Sequence, residues 1–266
     1  LGANSLKKSG YFAGTDSERL SDLIDALSDK NVKAIICTRG GYGTVRLLNL
    51  FPWDMFANSE PKVFVGFSDI SALMLTFWEK YGWQSYFGLQ VANGLSGSYS
   101  ERSLAHFRSV LGADRYPISW LDGNDMLLNS DEGKYCEGHL IPCCLSILTS
   151  LIGTSFSPDL SDTILCIEDL NEPTYKYDRM LVQLRMSGMM DKINGLILGK
   201  FFYKDSDISG KIACIASEIF KDYNFPIWRG IPFGHYNDRL TLPIGVKMKV
   251  SAEGKLSTIA DISAEY

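Results

Sequence analysis

The stretch Val63-Phe-Val-Gly-Phe-Ser-Asp-Ile-Ser-Ala-Leu73 carries the residues for serine chemistry. Val63 to Val65 are β-branched or aromatic and predict a buried strand. Gly66 supplies a tight turn, and Asp69 to Trp78 can run on as a helix. Ser68 then stands at a strand-to-helix corner, near free backbone N–H groups that favour a developing anion. That is the mechanics of a nucleophile elbow. Ile70 takes the place of the last glycine in Gly-x-Ser-x-Gly, so the pattern is incomplete. The plainer alternative makes Ser68 a helix N-cap, with Asp69 in the first turn.

A serine nucleophile needs a base, and the chain has three histidines, His106, His139 and His235. His106 falls on a predicted helix, Ser100 to Leu111, and reads as a surface or packing residue. His235 follows Gly234 in a loop after a predicted strand, the exposed and positioned placement a general base needs. An acid is available at Glu168-Asp-Leu-Asn-Glu172, after the apolar strand Ile164 to Ile167. Its three carboxylates could bind a metal, pair with a histidine, or start the helix that follows Pro173. The order serine, acid, histidine is one in which such triads occur.

A second loop, Thr38-Arg-Gly-Gly-Tyr-Gly43, follows the apolar run Val32 to Cys37. Its glycines can aim bare N–H groups at an anion or oxyanion, or form an ordinary strand-to-helix turn. The elements around it are regular. Thr15 and Glu18 are spaced as a capping box, and Leu20, Leu23, Ile24 and Leu27 make a helical stripe. Thr44 to Leu50 starts another helix. This βαβα series predicts a parallel sheet covered by helices. Both special loops follow strand carboxyl ends, the edge at which open α/β sheets bind ligands, so both face one site. Tyr81 to Gly97 is predicted to leave the sheet.

Ala113 to Gly133 is polar, with Pro117, Gly123, Asp125 and Asn129, and reads as a linker. Beyond it come Gly138 to Leu145, a helix to about Leu151, the strand Ile164 to Ile167, a helix Tyr175 to Met186, a strand Gly195 to Phe201 and a helix Ile212 to Phe220. From Leu240 onward the chain alternates as short strands. The fold is therefore α/β. An N-terminal parallel-sheet α/β domain covers 1–115, a linker 116–133, and a C-terminal α/β domain 134–266.

Composition narrows the function. The 266 residues are 45% apolar and 21% charged, ordinary for a soluble globular chain. The net charge of -5 and the lack of a basic patch argue against nucleic acid as a partner. No apolar run approaches a membrane span, and polar Leu1 to Gly10 is no secretory leader. None of the six cysteines forms a C-x-x-C pair, which disfavours a zinc or redox site. Cys37 and Cys166 fall in apolar strands as small buried hydrophobes, and a reducing, cytoplasmic location fits best.

Taken together, Phe12-Ala-Gly-Thr15, Arg39-Gly-Gly-Tyr-Gly43, Gly66-Phe-Ser-Asp69, Glu168-Asp-Leu-Asn-Glu172, Tyr177-Asp-Arg-Met-Leu181, and Gly234-His235 with Thr241-Leu-Pro-Ile-Gly245 resemble the LD-carboxypeptidase family of serine peptidases. That family includes the microcin C self-immunity peptidases. The motifs follow the family's order across nearly the whole chain. The resemblance implies that Ser68 is the nucleophile, Glu168 the acid and His235 the base. It implies an oxyanion hole from the backbone N–H groups of Asp69 and Gly41. Arg39 and Gly40 would bind substrate, with Arg39 either holding a substrate carboxylate or engaged in a structural ion pair. It further implies the family's smaller, β-rich C-terminal α/β domain carrying the acid and base, and a cytoplasmic homodimer with its site between domains, using neither metal nor cofactor. The implied reaction releases D-alanine from a murein tetrapeptide in cell-wall recycling. Two alternatives stay open: an amidase acting on aminoacyl-nucleotide conjugates, as in microcin immunity, and a ligand-binding relative with weakened catalysis.

Two departures stand out. The family usually has Gly-Gly-Asn-Leu where this chain has Pro142-Cys-Cys-Leu145, which alters a wall of the site and bears on substrate choice. The family also usually opens with a further strand and helix before the Phe12 motif. The chain is thus expected to be a fragment or truncated product whose N-terminal sheet is short of one strand.

Overall fold

The computed structural model describes residues 1–92, 99–112, 135–251 and 255–259. The expected linker, 116–133, lies outside them. The first sheet begins with three parallel strands, β1 (Ala34–Ile36), β2 (Val63–Gly66) and β3 (Ser85–Phe87). β3 corrects the expectation that the chain leaves the sheet after Tyr81. Its three residues are all buried, so the segment shows no alternation of apolar and polar residues to read. Val32 to Cys37 also differs from expectation. Only Ala34–Ile36 is strand, and it is exposed or half-buried because β1 pairs on one side alone among the described residues.

The second sheet is built on parallel strands β4 (Cys136–Cys144), β5 (Thr163–Leu170) and β6 (Ile193–Tyr203). β7 (Ser206–Asp207) and β8 (Ile227–Arg229) both pair with β6. The chain then returns to the first sheet as β9 (Leu242–Ile244), antiparallel to β3. It rejoins the second sheet as β10 (Lys247–Val250) on β4, followed by β11 (Leu256–Thr258). The segment from β9 to β10 thus gives one strand to each sheet. Its crossing is held by Leu140, whose N–H donates to Val246 and whose carbonyl accepts from Gly245.

Helices cover the sheets where apolar stripes require it. The helix Asp16–Ser28 opens with the expected capping box: Thr15 Oγ1 accepts from Glu18 N–H, and Glu18 Oε2 accepts from Thr15 N–H. The helix Ser71–Tyr81 buries every residue from Ser71 to Phe77 between the sheets. One contiguous apolar core runs through both, from Phe64 and Phe77 to Ile164, Leu196 and Trp228. This packing brings three places together: the carboxyl end of β2, the end of β5, and the loop between β8 and β9.

Candidate active site

Ser68 follows β2 and opens a single 3₁₀ turn, Ser68–Ile70, that leads into the helix Ser71–Tyr81. Its φ is +61°, a left-handed backbone that a non-glycine residue adopts at a cost of about 1 kcal/mol or more. The missing glycine at Ile70 is explained by Gly66. A Cβ on Gly66 would stand 2.4 Å from Ile70 Cγ2 and 2.8 Å from Met74 Sδ. Ile70 folds over the bare Gly66, so the sharp corner forms without a glycine after the serine.

His235 lies opposite. Its Nε2 is 3.0 Å from Ser68 Oγ, and its Nδ1 is 2.7 Å from Glu168 Oε2. The backbone N–H of His235 donates to the same Oε2 at 3.1 Å. The imidazole is packed against Phe67, ring centres 4.5 Å apart. Burial alone would push the His235 pKa down. The Glu168 charge and hydrogen bond, with Asp169 adding to them, outweigh burial and hold it above the ordinary value.

The acidic run divides. Glu168 sits inside β5 rather than beyond its end, is fully buried, and serves His235. Asp169 accepts from Ser146 and Leu170 N–H groups, and burial with the Glu168 charge lifts its pKa to about 6. Glu172 pairs with Lys176 on the following helix. Cys144, the register partner of Glu168 across β4 and β5, donates its S–H to Glu168 Oε1 at 2.8 Å. Cys144, Glu168 and His235 form the single metal-compatible cluster among the described residues, with ligand atoms within 4.8 Å. The hydrogen bonds just described already use those atoms.

The glycine loop packs directly on Ser68. A Cβ on Gly40 would come within 2.8 Å of Ser68 Cβ, and Gly40 N–H donates to Gln90 Oε1. Gly41 has φ +117° and open space where a Cβ would stand. No acceptor for the N–H of Gly41 or Asp69 is found among the described residues. The Asp69 carboxylate turns away, accepting from Thr44 N–H and Oγ1 at 2.8 and 2.6 Å. Arg39 is exposed and has no carboxylate partner among the described residues.

The other histidines take structural places. His106 Nδ1 accepts from Thr241 N–H, and burial lowers its pKa to about 4. His139 Nδ1 bonds the Gly245 carbonyl. Three contributors escaped the sequence reading. Gln90 is buried and joins the loops, accepting from Gly40 N–H and donating to the Phe67 carbonyl. Arg239 is buried between the rings of Phe67 and Tyr99 and donates to the Gly234 carbonyl. Cys144, expected in a wall of the site, is a direct partner of Glu168. Only the adjacency of Arg239 to the Gly234-His235 loop offered a signal.

A hydroxyl, an imidazole and a buried carboxylate in line are the components of a general-base-activated nucleophile. Comparison with known proteins agrees in kind. The LD-carboxypeptidase N-terminal domain model matches residues 1–88, and the C-terminal domain model residues 137–250. A putative carboxypeptidase of Streptomyces coelicolor is 33% identical over 244 residues, 91% of this chain and 76% of that protein. The crystal structure of muramoyltetrapeptide carboxypeptidase from Oxalobacter formigenes is 32% identical, with a TM-score of 0.80 over 94% of this chain and 86% of that one. The microcin C7 self-immunity protein of Escherichia coli is 25% identical over 284 residues, 94% of this chain and 80% of that protein. Its wild-type structure shares the fold, with a TM-score of 0.86 at 22% identity over 98% of this chain and 86% of that one. This chain belongs to the LD-carboxypeptidase family and is a serine-type carboxypeptidase.

Proposed function

We propose that Ser68, His235 and Glu168 act as a catalytic triad that removes a terminal D-residue, D-alanine, from a murein tetrapeptide. The observation that carries this reading is the unbroken hydrogen-bonded line from Ser68 Oγ through both nitrogens of His235 to buried Glu168. His235 Nε2 takes the Ser68 proton as Oγ bonds to the carbonyl carbon of the last peptide bond. The C–N bond then breaks, the proton passes from Nε2 to the leaving amine, and an acyl ester remains on Ser68. Water repeats the sequence and frees the shortened peptide. Glu168 keeps the imidazole oriented and stabilises its cation.

The N–H groups of Gly41 and Asp69 are the oxyanion donors in this reading. Open space at Gly41 admits the carbonyl, and Asp69 N–H lies at a helix start whose dipole favours negative charge. Arg39, beside Gly40, is the anchor for the free terminal carboxylate. The same reading makes the protein a cytoplasmic homodimer working on small peptides in cell-wall recycling. Light scattering on the purified protein tests the dimer.

The deciding experiment compares murein tetrapeptides that differ only in the configuration of the last residue. Release of D-alanine at least tenfold faster than L-alanine supports the proposal, and equal rates sink it. Faster cleavage of an aminoacyl adenylate analogue than of either peptide would replace it with the amidase reading.

A further inference from the structure

The two oxygens of Glu168 have different tasks. Oε2 accepts both His235 bonds. Oε1 has one partner among the described residues, the S–H of Cys144. Both side chains are buried, and they project from paired positions on adjacent parallel strands. A thiol donates only while it keeps its proton. Burial, with the Glu168 and Asp169 charges, pushes the Cys144 pKa well above the ordinary thiol value, so the proton stays. No solvent-exposed position is left for Oε1 to use instead, since Glu168 is fully buried.

We propose that Cys144 is a positioning residue for the triad, its S–H on Oε1 fixing the plane of the Glu168 carboxylate so that Oε2 meets His235 Nδ1. The inference rests on the triad reading above. A carboxylate turns easily about its last side-chain bond, because that torsion is broad rather than three-welled. Two anchors, one on each oxygen, stop the turn. Without the thiol, a buried anionic oxygen lacks a donor, and the carboxylate gains by rotating toward another. The line to His235 then loosens although neither His235 nor Ser68 has changed. Cys144 reaches the reacting atoms only through Glu168 and His235.

The test uses Cys144→Ala and Cys144→Ser, with Ser68→Ala as the control. Two readouts are taken: D-alanine release from murein tetrapeptide, and the downfield proton resonance of His235 Nδ1–H in the resting enzyme. Cys144→Ala is expected to lower kcat roughly tenfold, the size of one hydrogen bond to a charged group, with KM within about twofold. Its Nδ1–H resonance is expected to move upfield. Cys144→Ser is expected to restore both, because a hydroxyl is the stronger donor. The 2.8 Å thiol contact also leaves a shorter C–O bond within reach of Oε1. Cys144→Val, which fills the volume without a donor, replaces Cys144→Ala if that variant melts too early to assay.

A donor-free variant with normal kcat and an unmoved resonance overturns the proposal. So does a folded Cys144→Ser that is as impaired as Cys144→Ala. Either result beside an inactive Ser68→Ala leaves the triad standing and removes only the role of Cys144. Turnover by Ser68→Ala would overturn the triad and this proposal with it.

Discussion

His235 is joined to Glu168 twice through one oxygen: its backbone N–H and its ring Nδ1 both lie on Oε2, at 3.1 and 2.7 Å. The double contact needs the chain to pass very close to the carboxylate. Gly234 makes that possible, with φ +117° and a bare Cα whose added Cβ would meet Oε2 at 2.8 Å. Gly234→Ala should therefore push His235 off Glu168. A misplacement of this kind costs about 10²-fold in turnover, and the strained backbone about 1–3 kcal/mol of stability. Kinetics and thermal melts check both, and an unchanged variant would show that the close approach is unimportant.

The Glu168–His235 pair also sets a pH dependence. In the proposed triad the base must be neutral to accept the Ser68 proton, so activity is expected to fall as pH drops through the His235 pKa. Glu168 is the main group raising that pKa, against burial, so the acid limb of kcat/KM should lie above the ordinary imidazole value of 6.5. Glu168→Gln removes the raising charge. Its limb should move to lower pH, with activity reduced on the order of 10⁴-fold, because the amide no longer enforces the required tautomer. A limb that stays in place would separate the pH profile from this pair.

Ser68, the nucleophile of the proposed triad, also carries backbone strain. Ser68→Ala should lose on the order of 10⁴–10⁶ in kcat while keeping the fold. At φ +61° glycine is the comfortable residue, so Ser68→Gly should melt above Ser68→Ala, though both are inactive. The reverse order of melting temperatures would deny the strain.

Gln90 clamps the two loops that meet at Ser68, bridging Gly40 N–H and the Phe67 carbonyl. Gln90→Ala takes the acceptor from Gly40 N–H and one of two donors from the Phe67 carbonyl, which keeps Ile70 N–H at 3.3 Å. The expected loss is about 1–3 kcal/mol for the orphaned Gly40 N–H, read from denaturant unfolding, together with a fall in kcat from loosened loops. A variant as stable as the parent would mean that water fills the gap.

Arg39 is exposed beside the glycine loop and has no carboxylate partner among the described residues. If it anchors the substrate carboxylate, Arg39→Ala should raise KM roughly tenfold with kcat little changed, the value of one charge-assisted hydrogen bond. Arg39→Lys should recover only part, because an ammonium lacks the bidentate fork. An unaltered KM would place the anchor elsewhere.

Short-range chemistry made much of this protein legible. The strand–glycine–serine corner, the Gly40 to Gly43 loop, the Gly234-His235 pair and the Thr15–Glu18 cap are each specified by residues within a few positions of one another. Backbone conformation and capping depend on neighbours at that range. The carboxylate was a different matter. Glu168, Asp169 and Glu172 are alike in local sequence, and the fold alone assigned one to His235, one to Ser146 and one to Lys176. Gln90, Arg239 and Cys144 owe their places to partners on other elements, as does the return of Leu242–Ile244 to the first sheet. Ser68 and His235 are 167 residues apart, and Glu168 and His235 are 67 apart. Contacts across such separations form only once burial of the shared core has paired the strands and docked the two sheets. A local pattern can supply the groups, but that packing decides which of them meet.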